Sequence, residues 1–272
     1  PAGELIVGRC GDEKLLDDLF ARRKFDAVMH FAGKIVVGES VKDPLRYYRS
    51  NISETLTLID AMVKNDVLAF IFSSSAAVYG QPLETPIPEN HPCRPINAYG
   101  FSKYMIEEAL SDCARAYGLR YAALRYFNAA GADPSGAIGE MHDPETHLIP
   151  LVLQAAAGKR KAVQVFGTDY PTPDGTCIRD YVHVSDLADA HLLAMDALMD
   201  GRSNMICNLG NSRCHSVKEV IEVSKKITGR NVPVETAERR EGDPPVLVAD
   251  SKKIRSELGW KPRFEDLESI IE

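Results

Sequence analysis

Leu68-Ala69-Phe70-Ile71-Phe72-Ser73-Ser74-Ser75-Ala76-Ala77-Val78-Tyr79-Gly80 is an apolar run that ends in three consecutive hydroxyls. Strands buried on both faces of a parallel sheet read as unbroken apolar runs, which is how Leu68–Phe72 reads. Hydroxyls at the carboxyl end of such a strand sit where open α/β sheets place their ligand crevice; a serine-rich turn capping the next element is the plainer reading of the same residues. Upstream, Glu4–Gly8 and Phe25–Phe31 read as two more short strands around the charged stretch Asp12–Lys24. There Leu15, Leu16, Leu19 and Phe20 fall at helical spacing behind Asp12, a suitable N-cap. A helix opening near Pro44 precedes the Leu68 run, and downstream come a Pro-rich loop from Gln81 to Pro95, a helix over Ala98–Ala116 and a strand at Tyr121–Phe127. The alternation predicts an α/β fold, a doubly wound parallel sheet. After Asn128 the pieces shorten and loops lengthen. This predicts one domain over 1–129 and a smaller α/β substrate domain over 130–272, with segments near 178–195 returning to the first.

Composition narrows the class. Among 272 residues, 32 Lys and Arg face 39 Asp and Glu, a formal net charge of −7 that offers no footprint for a nucleic-acid backbone. A hydrophobic fraction of 44% supports a packed core. No apolar run approaches the roughly 18 residues that span a bilayer, and no charged-then-apolar leader opens the chain. The six cysteines form no CxxC pair, so neither a metal site nor a disulfide framework is expected. Reduced thiols fit a cytoplasmic location.

Three groupings carry chemistry. The first is the serine-ended strand. The second, Tyr99-Gly100-Phe101-Ser102-Lys103, opens a helix, and residues four apart share a face, so the Lys103 ammonium approaches the Tyr99 phenol. A nearby cation favours the phenolate. Lowering a phenol from about 10 to about 7 takes roughly 4 kcal/mol, more than one exposed pair supplies, so burial and a second positive charge are required. The third comprises Asn128 after a strand, Arg179-Asp180-Tyr181, and Arg239-Arg240-Glu241-Gly242-Asp243. Arginine forks suit phosphate oxygens, and these clusters predict a diphosphate clamp.

Phe31-Ala32-Gly33, Val37–Ser40, Ser73–Gly80, Tyr99–Lys103, Arg125–Asn128, Gly167–Pro171, Arg179–Val184 and Arg239–Asp243 occur in the order seen in UDP-glucose 4-epimerases. From Leu5 to Trp260 the chain resembles that family of extended short-chain dehydrogenase/reductases. The resemblance implies a Rossmann-like sheet whose first strands are missing here, a bound NAD, a UDP-hexose substrate, a homodimer, and no nucleic-acid or membrane partner. It also implies the reaction, in which NAD takes a hydride from C4, the 4-keto sugar turns over, and hydride returns to the opposite face. Tyr99 is then base and acid, with Lys103 lowering its pKa and Ser75 bonding the sugar O4. Phe31, Ala32, Gly33, Asn51, Ser73 and Tyr126 fall along the cofactor with Tyr99 and Lys103. Asn128, Leu148, Phe166, Arg179, Arg240 and Asp243 fall with Ser75 where the family binds the UDP-sugar.

The sequence departs from the family pattern in places. No Gly-rich phosphate turn is found, and roughly 50 residues, a βαβ unit, are expected ahead of Pro1. Without them, buried sheet surface is uncovered, and the chain alone is expected to be unstable. Arg9-Cys10 stands where the family has an adenine-contacting acid, and Ile35, preceded by Lys34, where it has lysine. Leu247 marks the position limiting room around the sugar. Ala76 and Ala77 cannot titrate, which disfavours the related 4,6-dehydratases. The same residues would serve an epimerase of another UDP-sugar (pentose, uronate or N-acetylhexosamine), and a chain lacking the cofactor loop would be an inactive fragment.

Overall fold

A computed structural model describes residues 3–240 and 243–272. In chain order the elements are α1 (Glu13–Arg22), β1 (Val28–His30), α2 (Val37–Lys42), α3 (Pro44–Tyr47), a π-helical turn (Tyr48–Ser53), α4 (Glu54–Lys64), β2 (Ala69–Ser75) and a 3-10 turn (Ala76–Val78). Then come α5 (Ala98–Tyr117), β3 (Arg120–Tyr126), β4 (Asn128–Ala130), α6 (Leu148–Ala156), β5 (Val163–Phe166), β6 (Ile178–His183) and α7 (Val184–Met199). The chain closes with β7 (Met205–Leu209), β8 (Cys214–Ser216), α8 (Val217–Thr228), β9 (Val234–Ala237), β10 (Val246–Leu247), α9 (Lys252–Leu258) and α10 (Leu267–Ile271).

Two compact units result. The first takes in the chain through Gly80, Cys93–Leu124 and Ala194–Ile206; the second takes in Gln81–Pro92, Arg125–Leu193 and Cys207–Glu272. The segment returning to the first unit is thus Ala194–Ile206, the end of α7 and the start of β7, rather than the expected stretch near 178–195. The difference has a local cause: Tyr181 of β6 is buried in the second-unit core, whereas Arg120 and Tyr121 of β3 bond Leu198 and Asn204.

The first unit is built on a sheet of order β1-β2-β3-β7, with β1 and β2 parallel and Met29 opposite Ile71. Leu16 and Phe20 of α1 and Leu58, Ile59 and Met62 of α4 pack with Phe70 and Phe72 of β2 and with Ile106 and Leu110 of α5. Each such side chain contributes about 1.5–3 kcal/mol on burial. Caps follow the sequence: Asp12 accepts from the Leu15 N–H at 3.1 Å, Asp43 caps α3 with Pro44 in its first turn, and Asn97 accepts from the Gly100 N–H at 2.8 Å. Glu4–Gly8 is not a strand. Leu5 and Val7 are 88% and 89% exposed, and a strand needs a ladder partner that no described residues supply here.

The second unit holds β10-β6-β4, with β8 antiparallel on Ile178–Asp180 of β6, and the separate parallel pair β5-β9. Val152 of α6, Val163 and Val165 of β5, Val220 and Ile221 of α8, and Ile270 of α10 form its core. Ser216 and Glu219 cap α8 reciprocally.

Candidate active site

Lys103 and Tyr99 lie together in the first unit. The Lys103 ammonium is 6.0 Å from the Tyr99 ring centroid and 4.9 Å from that of Phe72. It donates to the Ser73 carbonyl at 2.7 Å, so the lysine bridges the Tyr99 helix to the end of β2. Burial pushes its pKa down to about 8, and Glu107 works against that fall. Ser75, last residue of β2, is half-buried and accepts from the Ala77 N–H at 3.1 Å. The capping reading of the serines therefore holds for Ser75, whose hydroxyl hydrogen this bond leaves free to donate.

The three residues between Tyr99 and Lys103 explain the pairing. A Cβ on Gly100 would stand 2.4 Å from the Ala77 carbonyl oxygen, so glycine brings the first turn of α5 against the turn after Ser75. Ser102 is fully buried; its hydroxyl donates to the Tyr99 carbonyl at 2.7 Å and accepts from Asn51 Nδ2 at 3.1 Å. Phe101 faces outward.

Asn51, expected along the cofactor, bonds the chain after β1. Its Oδ1 accepts from the Lys34 N–H at 2.8 Å and its Nδ2 donates to the Lys34 carbonyl at 2.9 Å. It thus fixes the Gly33–Lys34 turn at the end of β1 and ties it, through Ser102, to Tyr99. Gly33 has a φ of +156°, in the region that favours glycine. Phe31, Ala32 and Gly33 are exposed. Ala32 and Gly33 line a cleft of about 660 Å³ together with Lys34, Arg46, Arg49 and Glu54. Open backbone at a strand's carboxyl end beside lysine and arginine is a donor set suited to a dinucleotide's phosphates, so these residues fit NAD. Arg9, where the family has an acid, pairs with Glu54, and the Cys10 thiol lies 3.6 Å from the same carboxylate.

In the second unit, Asp243 joins the two expected arginines. Arg179 Nη2 donates to its Oδ1 at 2.6 Å, and Arg240 Nε and Nη2 donate to its Oδ2 at 3.2 and 3.0 Å. The Arg240 guanidinium lies 4.8 Å from the Phe166 ring centroid, a stacked pair that pre-sets the fork. Arg239 does the same over Tyr170 at 4.3 Å while bonding Asp169. Asn128 donates to the Asp180 carbonyl at 2.8 Å, and Leu247 pairs with Arg179 across β10 and β6. Leu148 packs half-buried on the second core, and Tyr126 meets His191 edge-on at 6.0 Å. Glu241 and Gly242 of the expected clamp lie outside the described residues. The sequence predicted no metal site; the loop before α6 nonetheless gathers Glu140, His142, Glu145 and His147 within 4.8 Å. The Glu140 carboxylate stands 2.7 and 2.6 Å from the two imidazole nitrogens.

A parallel sheet whose strand ends in serines, with tyrosine and lysine on the helix packed against it and a cleft suited to a dinucleotide, is the arrangement of a short-chain dehydrogenase/reductase. Comparison with known proteins sharpens this. Residues 2–210 match the NAD dependent epimerase/dehydratase family, to which the chain belongs. A UDP-glucose 4-epimerase of Halalkalibacterium halodurans is 52% identical over 266 residues, 97% of this chain and 79% of that protein. The crystal structure of UDP-glucose 4-epimerase from Brucella ovis in complex with NAD superposes with a TM-score of 0.96 at 48% identity, covering 99% of this chain and 83% of that one. A Bifidobacterium longum UDP-glucose 4-epimerase in complex with NAD+ and UDP gives 0.93 at 42%, covering 97% and 79%.

Proposed function

We infer that this chain interconverts UDP-glucose and UDP-galactose, an NAD-dependent isomerase acting at C4 of the hexose. The observation that carries this is the Tyr99–Lys103 pair anchored on β2, joined to whole-chain similarity to UDP-glucose 4-epimerases. Bound NAD supplies a hydride acceptor and donor, so that C4 passes through a ketone and returns in either configuration. The turn at Ala32–Gly33, set by Asn51, and the Lys103 ammonium would hold that cofactor, with Ser73 beside them. Tyr99 takes the O4 proton and later gives it back. Lys103, buried and cationic, stabilises the phenolate, because charge attracts charge more strongly out of water. Ser75 donates to O4 and fixes its orientation. Arg179 and Arg240 hold the diphosphate and Asn128 the nucleotide side, with Asp243 exchanging or orienting the arginine forks as the phosphates arrive.

The protein works as a homodimer in the cytoplasm. Six free cysteines support a reducing compartment, and no helix of the described residues is long and apolar enough to cross a membrane. An apolar face on α2, α3 and α5 supports the dimer. Tyr99→Phe, which keeps the ring and removes the titrating oxygen, should lower turnover of UDP-galactose by at least 10³-fold with UDP affinity within twofold of wild type. Turnover unchanged in that variant removes Tyr99 from this role.

A further inference from the structure

We propose that Glu107 is a positioning residue for the proton step at Tyr99: fixed by Ser74 on β2, its carboxylate sits one helical turn past Lys103 and keeps that ammonium charged. The inference rests on Tyr99 being the base.

Glu107 is 3% exposed and Lys103 4%. Carboxylates are almost never buried so fully without partners, because a lone buried charge is strongly disfavoured. Ser74 Oγ donates to Glu107 Oε1 at 2.5 Å, a short bond that fixes the carboxyl group. Spacing of four along α5 places Glu107 and Lys103 on one helix face. That face is therefore fastened to β2 twice, by Lys103 on the Ser73 carbonyl and by Glu107 on the Ser74 hydroxyl. Both anchors immediately precede Ser75. Among the described residues, Glu107 is the negative group that acts on the ammonium. His30 on β1, stacked on Phe72, is held neutral, its pKa pushed to about 4 by burial and by Lys103 itself. Phe72 and Ser73 on β2 offer a ring face and a carbonyl. Tyr99 is the group to be served. Burial drives Lys103 toward losing its proton, and Glu107 is the carboxylate that opposes this.

The test uses the NAD-loaded full chain as wild type, Glu107→Gln and Glu107→Asp. Turnover is followed from pH 6 to 9.5, and the Lys103 side chain is titrated by NMR of 13C-labelled lysine, assigned with Lys103→Arg. With the glutamine, the alkaline limb should move down by about one pH unit, so that turnover at pH 8.5 falls about tenfold further than at pH 6.5. The Lys103 titration should move the same way, and the aspartate variant should recover most of both. A uniform fall at every pH with an unmoved Lys103 titration overturns the inference. Should Glu107→Gln fail to fold, Ser74→Ala keeps the carboxylate but removes its donor; a smaller shift in the same direction supports the inference, and none overturns it. Tyr99→Phe measured alongside separates the two readings: turnover surviving there sinks the base assignment, whereas the Lys103 titration still judges Glu107.

Discussion

Asp180, next to Arg179 in β6, shows how one side chain organises the second unit. It is fully buried, accepts the Asn211 N–H at 2.7 Å and the Ala249 N–H at 3.1 Å, and its pKa is pushed up to about 6 by burial against those bonds. A carboxyl whose folded pKa lies above its unfolded value binds its proton more tightly when folded. Its contribution to stability is present below about pH 4 and is lost as pH rises through about 6. Asp180→Asn cannot titrate. The stability advantage of wild type over the variant should therefore be larger at pH 4.5 than at pH 8, by about 2 kcal/mol, in urea unfolding followed by circular dichroism. An advantage that is flat with pH, or reversed, contradicts the assignment. Residues of this kind were the least legible in the sequence. Tyr99 and Lys103 were readable because four-residue spacing on a helix is a local rule. The clasp that Asn51 makes on the Lys34 turn and Ser102 was not legible, because those bonds join positions 17 and 51 apart. Ser102 and Glu107 carried no local signal that marked them.

Helix α5 carries the proposed catalytic pair, and its placement rests on Gly100. The added methyl of Gly100→Ala would meet the Ala77 carbonyl oxygen at 2.4 Å and its carbon at 2.9 Å, both backbone atoms that cannot rotate away. The first turn of α5 must then retreat, moving Tyr99 relative to Ser75. We expect about 1–3 kcal/mol of lost stability and about a hundredfold loss of turnover, since a displacement near 1 Å costs that much. Thermal melting and steady-state kinetics check this, and an alanine variant with wild-type turnover shows that the close approach is dispensable. Helices and buried strands were legible for reasons the caps make plain: Asp12, Asn97 and Ser216 stand at three observed helix starts, and Gly118 ends α5 in the left-handed region. Glu4–Gly8 misled because apolar composition without a pairing partner specifies no strand. The unit boundary misled because β3 and α7 each contribute to both units, which no linear cut can represent.

At the scale of the molecule, one face is apolar. Val37 and Val41 on α2, Leu45 on α3, and Phe101 and Met105 on α5 are all exposed, and α5 packs against both α2 and α3. Tyr48 adds its ring edge-on to Phe101 at 6.2 Å. Exposed apolar patches of this continuity mark association surfaces. A two-fold dimer brings each residue of such a patch near its own counterpart or a neighbour of it, so one substitution acts twice. Leu45→Glu and Met105→Glu place carboxylates in that face without touching Tyr99, Lys103 or their anchors. Light scattering coupled to gel filtration should give wild type at twice the chain mass of 30.0 kDa. The double variant should dissociate to one chain mass at micromolar concentration, as expected when like charges oppose one another across about 800 Å² per partner. Wild type eluting as a single chain, or a double variant that stays paired, assigns the face to something other than self-association.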